Sequence, residues 1–205
     1  MTYEPALGLR ERKKLDTRRA LSDAALALVF ERGLDNVTRE DIAARAGVSP
    51  RTFTNYFAGK YEALVYRQTE RMLRGAALLR QRPATESLWT AVAETLHEVF
   101  AEDMDREGLP TAAQQTEIRS LLGARQTRTA LPPDLFDAWC AAIAERTGTD
   151  PHRDLYPRLA AGVVGAVLES VAQCYADADP PIAFLPLLLR GFAEVAAGLP
   201  QPSAH

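Results

Sequence analysis

Two cysteines in 205 residues are too few for a disulfide framework. Cys140 and Cys174 stand in apolar, helix-like stretches without CxxC or Cys/His spacing, so buried thiols in a reducing cytoplasm are expected, with no metal site and no cofactor. No apolar leader follows "MTYEPALGLRERKK", and no uninterrupted apolar run reaches the length of a bilayer crossing, which excludes secretion and a membrane partner. No stretch alternates with the period of a strand, and there is no internal repeat. An enzyme would lack its parts: Gly-x-Ser-x-Gly, His-Glu-x-x-His and a phosphate-binding glycine loop are all missing. The run "DMDREG" at 103–108 begins like a calcium loop, but its twelfth position is Gln114 where a bidentate glutamate is required, and a solvated helix end accounts for it.

What is present is enough apolar content, 47% of residues, to fill one large domain or two small ones. The net charge of -3 hides an asymmetry: residues 1–60 hold 11 Lys and Arg against 8 Asp and Glu, while residues 61–205 hold 13 against 19. A basic first segment permits a polyanionic partner without requiring one.

Residues 18–32 carry Leu21, Ala24, Ala25, Leu28 and Val29, the stripe of an amphipathic helix that Gly33 ends. Thr38 then stands as an N-cap with Asp41 three residues on, and Ile42, Ala43 and Ala46 mark a short second helix stopping at Gly47. Ser49 caps a third over 50–57, with Pro50 in the first position, where a missing N–H does no harm. On this helix Phe53 and Phe57 share the face that locks onto the first two.

The opposite face shows Arg51, Thr52, Thr54, Asn55 and Tyr56. Two short helices joined by a glycine turn are a helix-turn-helix, whose second helix enters the major groove. There arginine can grip guanine bidentately, asparagine adenine, and threonine a base edge or a thymine methyl. A polar exterior built only for solvation would lean on Glu and Lys, yet 48–60 holds no acidic residue. Arg51 and Asn55 are expected on bases, Thr52 and Thr54 at the groove edge, and Thr38, Arg39, Ser49, Tyr56 and Lys60 on or beside the phosphates, with Arg10, Arg12, Lys13, Lys14, Arg18 and Arg19 as a further backbone clamp. The rival is a helical adaptor that binds protein alone; salt-sensitive binding to a palindromic duplex separates the two.

The stretch "TREDIAARAGVSPRTFTNYFAGKYEAL" resembles the DNA-binding signature of TetR-family transcriptional regulators. The resemblance covers about the first quarter of the chain. Thr54 departs from it where many members carry an aromatic, which bears on base preference. Tyr61 departs where an acidic residue is common, which bears on the cap of the fourth helix. The resemblance implies an all-α protein of about nine helices, with a helix-turn-helix head at 1–60. A ligand-binding and dimerisation domain would follow at 61–198, then a disordered tail at 199–205. It also implies a homodimer that binds a double-stranded DNA operator and, by family default, represses until a small-molecule effector releases it. Part of the same segment is similar to the subset that binds acyl-coenzyme-A-like ligands.

Beyond the head, helical stretches are expected at 61–82, 85–106, 112–122, 134–146, 154–175 and 181–197. The last two are strongly apolar, and small residues at Gly162, Gly165 and Ala166 let another helix approach closely. Val163, Val167, Val171, Leu185, Leu188 and Phe192 are the dimer candidates on these helices, with a buried core as the other use of the same pattern. The pocket candidates are Trp89, Leu96, Phe100, Phe136, Trp139, Ile143 and Leu168, with His97 and Gln173 as polar contacts.

Overall fold

The computed structural model describes residues 8–201, and of 102–107 only the helix they continue. Among the described residues it is all-α: α1 (Leu9–Arg32), α2 (Arg39–Arg45), α3 (Pro50–Tyr56), α4 (Lys60–Leu79), α5 (Leu88–Glu107), α6 (Ala112–Gly123), α7 (Arg125–Thr129), α8 (Asp134–Thr147), α9 (Leu155–Asp177) and α10 (Phe184–Ala196), with a 3-10 turn at Leu34–Asn36. Ten helices stand where about nine were expected; the additional one is α7, a single turn without a side-chain cap or a buried residue. Helix α1 starts at Leu9, ahead of the apolar stripe at 18–32, and its first turns are polar and exposed.

The chain forms two compact units. One takes the chain up to Gln68 together with Gly123–Leu131, and the other takes Thr69–Leu122 and everything from Pro132, so the division falls inside α4. In the first unit α2 packs on both α1 and α3. Its core is Leu21, Ala25, Leu28 and Val29 of α1, Ile42 and Ala43 of α2, and Phe53 and Phe57. Ser22 sits fully buried in the same stripe and donates its hydroxyl to the carbonyl of Ala63 at 2.7 Å, tying α1 to α4.

In the second unit α10 packs against α5 and α9, and α8 against α9. One apolar core joins Met72, Ala76 and Leu79 of α4 to Val92, Leu96 and Phe100 of α5, Trp139 and Ile143 of α8, Val164, Val167 and Val171 of α9, and Leu188 and Phe192 of α10. Helix α4 stops at Leu79, short of the expected 82. There Arg146 donates to the carbonyls of Arg82, Pro83 and Glu86 at 3.1, 2.6 and 2.7 Å, supplying partners that the chain after the helix end lacks. Gln115 and Arg119 of α6 do the same at the end of α9, donating to Ala178 and Ala176 at 2.8 Å each.

One expectation is corrected here, that of two buried thiols. Cys140 is buried, but Cys174 is exposed on α9; both are free thiols. By length and composition α9 could cross a bilayer, yet it lies in the core of the second unit through Ala160, Ala161, Val164, Val167 and Val171. Finally, α9 and α10 meet within this one chain. At Gly191 a Cβ would lie 3.0 Å from Val167 Cγ1 and 3.2 Å from Val171 Cγ2, so glycine lets the two helices approach closely and a larger residue would have to push the valines back by a few tenths of an ångström. Val167, Val171, Leu188 and Phe192 are thereby buried in the chain's own core, and Val163 and Leu185 pack half-buried against it. The acidic run at 103–107 lies outside the described side chains, as residues 202–205 lie outside the described chain; α10 itself closes with Gly198 and Leu199 donating to Val195 and Glu194 at 2.9 Å.

Candidate nucleic-acid interface

The two short helices are built by local chemistry. Thr38 and Asp41 form a reciprocal cap: the Asp41 N–H donates to the Thr38 hydroxyl at 3.2 Å, and the Thr38 N–H to the Asp41 carboxylate at 3.0 Å. The Thr38 hydroxyl, and after it the Thr38 N–H, holds the Asp41 carboxyl below its ordinary value of 3.8. Its folded-state pKa thus lies below the unfolded one. The associated stability is complete above the unfolded value and is lost as pH falls through the folded one. Thermal midpoints recorded from pH ~6 to ~3 should therefore fall more steeply in the wild type than in Asp41→Asn; parallel curves would show that the charge of Asp41 contributes nothing.

Gly47, at a φ of +69°, turns the chain between α2 and α3. The Ser49 hydroxyl then accepts from the Thr52 N–H at 3.0 Å, and Pro50 opens α3. Phe53 and Phe57, with ring centroids 5.9 Å apart, hold α3 from behind, and Tyr66 of α4 meets Phe57 edge-on at 5.5 Å. Glu62 compensates for the departure at Tyr61: its carboxylate accepts from the Ala58 N–H at 2.6 Å, ahead of α4.

With its back fixed, α3 exposes Arg51, Thr54 and Asn55 as one triangle, while Thr52 and Tyr56 flank it half-buried. Thr38, Arg39 and Ser49 are exposed at the starts of α2 and α3, and Arg39 Nε lies 2.8 Å from Glu40. Two cations expected on phosphates turn inward. Lys60 donates from Nζ to the carbonyls of Leu34 and Val37 at 2.8 and 3.1 Å, which closes the 3-10 turn and leaves one ammonium proton for another acceptor. Arg18 donates to the Tyr56 carbonyl at 3.4 Å and lays its guanidinium over the rings of Phe57 and Tyr66, at 5.8 and 5.5 Å from their centroids. Neither turn is legible in the sequence, because long cationic side chains reach inward as easily as outward.

The pocket candidates lie in the second unit. Leu96, Phe100, Trp139 and Ile143 are buried in the core, Trp89 and Leu168 are packed half-buried against it, and Phe136 is exposed with the Arg158 guanidinium 5.4 Å from its ring centroid. His97 is half-buried, and exposed Gln173 donates to Asp177 at 3.3 Å. A cleft of about 430 Å³ opens elsewhere in this unit, lined by Gly108, Leu109, Tyr175, Ala183, Phe184, Leu185 and Pro186. Phe184 in its wall lies 5.1 Å from Phe100 and 5.4 Å from Tyr175, so the cleft adjoins the expected set at Phe100.

A capped helix, a glycine turn and a second helix that shows arginine, threonine and asparagine outward define a helix-turn-helix DNA-binding protein. Residues 21–65 match the model for bacterial regulatory proteins of the tetR family, and residues 86–200, more than half of the chain, match the MftR C-terminal domain. TcmR, an HTH-type transcriptional regulator of Streptomyces glaucescens, is 31% identical over 181 residues, covering 84% of this chain and 79% of TcmR. The chain belongs to the tetR family and is a DNA-binding transcriptional regulator. The solved structures that share its fold include the following two. One is Thermus thermophilus FadR in complex with lauroyl-CoA, with a TM-score of 0.55 and 22% identity over 91% of this chain and 97% of that one. The other is SmeT, repressor of the Stenotrophomonas maltophilia multidrug efflux pump SmeDEF, with a TM-score of 0.56 and 18% identity over 92% of this chain and all of that one.

Proposed function

We propose that this regulator binds a palindromic operator as a homodimer, represses from it, and is released by a small, largely apolar effector. The exposed triangle Arg51, Thr54 and Asn55, in a segment free of carboxylates from 48 to 60, carries the reading. The head at 1–60 would read DNA, while 61–198 would take the effector and the second copy. For that copy, α9 offers the face turned away from its own core: Leu155, Leu159, Gly162 and Ala166 are all exposed. The effector chemistry follows from the aromatic and aliphatic candidates around Phe100 and Trp139. It is in keeping with the complexes of FadR with lauroyl-CoA and of SmeT with triclosan. Helix α4 starts immediately after the head at Lys60 and continues to Leu79, and a coupling of ~1–3 kcal/mol along it would weaken operator binding about 5- to 150-fold.

Selection of bound duplexes from a random pool tests this. A palindrome whose affinity falls steeply with salt is expected, and compounds that release the protein from it identify the effector class. Recovery of no preferred duplex would favour the protein-binding adaptor instead. On the selected duplex Arg51→Ala should cost ~1–3 kcal/mol and relax preference at one position, with the thermal midpoint unchanged. Lys60→Ala should instead lower the stability of the head by ~1–3 kcal/mol even without DNA, because Leu34 and Val37 lose a charged donor. Equal midpoints for the two variants would contradict the inward role of Lys60.

A further inference from the structure

The three exposed side chains of α3 differ in how much of their polar chemistry is still free. Among the described residues the side chains of Arg51 and Asn55 have no partner, so a guanidinium fork and an amide are both available for base edges. Thr54 is different. Its hydroxyl donates to the Arg51 carbonyl one turn back, at 2.9 Å, so its proton is taken by its own helix and the γ-methyl of this exposed residue is left for an outside contact. Thr52, the other threonine, is half-buried with its hydroxyl 2.9 Å from that of Ser49.

Resting on the DNA-reading role above, we infer that Thr54 is an apolar reader of a thymine 5-methyl group, placed beside the adenine taken by Asn55. Thymine alone among the four bases carries a methyl in the major groove. Along the helix, Arg51 and Asn55 are separated by about 6 Å, close to two base-pair steps of about 3.4 Å each. Thr54 lies only about 1.5 Å before Asn55 on the axis. A half-site that satisfies all three therefore holds a guanine for Arg51, then an adenine about two pairs on for Asn55, with the thymine in the adenine's own pair or the adjacent one.

The test compares duplexes in which each half-site thymine is replaced by deoxyuridine, which removes the methyl and nothing else. At one thymine position the wild type should bind about four-fold more weakly when a single half-site carries the replacement, for the loss of one buried methyl, and about 15-fold when both do. Thr54→Val keeps the methyl and loses the hydroxyl, and should show the same loss. Thr54→Ser keeps the hydroxyl tie and should bind the thymine and uracil duplexes alike. A wild type indifferent to uracil at every half-site position, or a Thr54→Ser variant that keeps the penalty, overturns the assignment. Failure of pool selection to return any palindrome overturns the DNA reading itself, and this assignment with it, so the two failures are told apart.

Discussion

Leu188→Asp is expected to leave no folded second unit, whereas Leu159→Glu is expected to give a folded monomer that binds operator poorly. Leu188 is completely buried on α10, which packs against α5 and α9. Its loss removes apolar contacts worth ~2–5 kcal/mol. An unpaired carboxylate in the same place adds several more, and the total is comparable to the whole stability of a domain at ~5–15 kcal/mol. Leu159 is 59% exposed on the outward face of α9, beside Leu155 at 76%. A glutamate there disturbs no core, but in a two-fold dimer it would meet its symmetry mate across a face opened by Gly162 and Ala166. Thermal denaturation should show no cooperative transition for the second unit of Leu188→Asp and an unshifted midpoint for Leu159→Glu. Sedimentation should show a wild-type dimer and a Leu159→Glu monomer. A Leu159→Glu protein that remains dimeric would move the seam off this face of α9.

The difference between these two positions marks where reading the sequence stops. The head was legible because its signals are local: Thr38 with Asp41, Ser49 with Pro50, and the paired rings of Phe53 and Phe57 each act within one turn of the residues they fix. The long helices were legible from their period and from the breaks at Gly, Pro and Asp. Helix α7 was not, since a five-residue turn without an apolar stripe or cap leaves no pattern. Nor does period separate the two apolar uses of one helix: Val167 and Leu159 both lie on α9, and only the packing of Gly191 against Val167 assigns the first to the chain's own core. The same ambiguity holds for the aromatics, because a ring that fills a core and a ring that lines a pocket obey one hydropathy rule. Ser22 did carry a usable sign, as a hydroxyl within the apolar stripe of α1 needs a buried acceptor, which Ala63 supplies.

Trp139 is the aromatic whose role the packing makes definite, and Trp139→Ala should destabilise the second unit by ~3–5 kcal/mol. The indole is 3% exposed and donates from Nε1 to the Met72 carbonyl at 3.1 Å, which pins α8 to the second half of α4. Its ring lies so close to Gly75 that a Cβ there would stand 3.1 Å from Cζ2 and 3.6 Å from Cη2. Gly75→Ala thus meets two opposed terms. Alanine favours the helix by ~1 kcal/mol over glycine, while the ring must yield by a few tenths of an ångström, so the net change in the wild type should be small. Once Trp139 is alanine the ring is gone, the crowding disappears, and the full helical gain of ~1 kcal/mol should emerge, with some of the cavity filled as well. A double-mutant cycle of Trp139→Ala and Gly75→Ala, followed by chemical denaturation, should therefore show a coupling of about 1 kcal/mol in the stabilising sense. Trp139→Phe loses the N–H bond and part of the ring, so it should cost more than the ~1 kcal/mol of the hydrogen bond alone but less than Trp139→Ala. If the two changes at 139 and 75 simply add, the indole does not crowd Gly75.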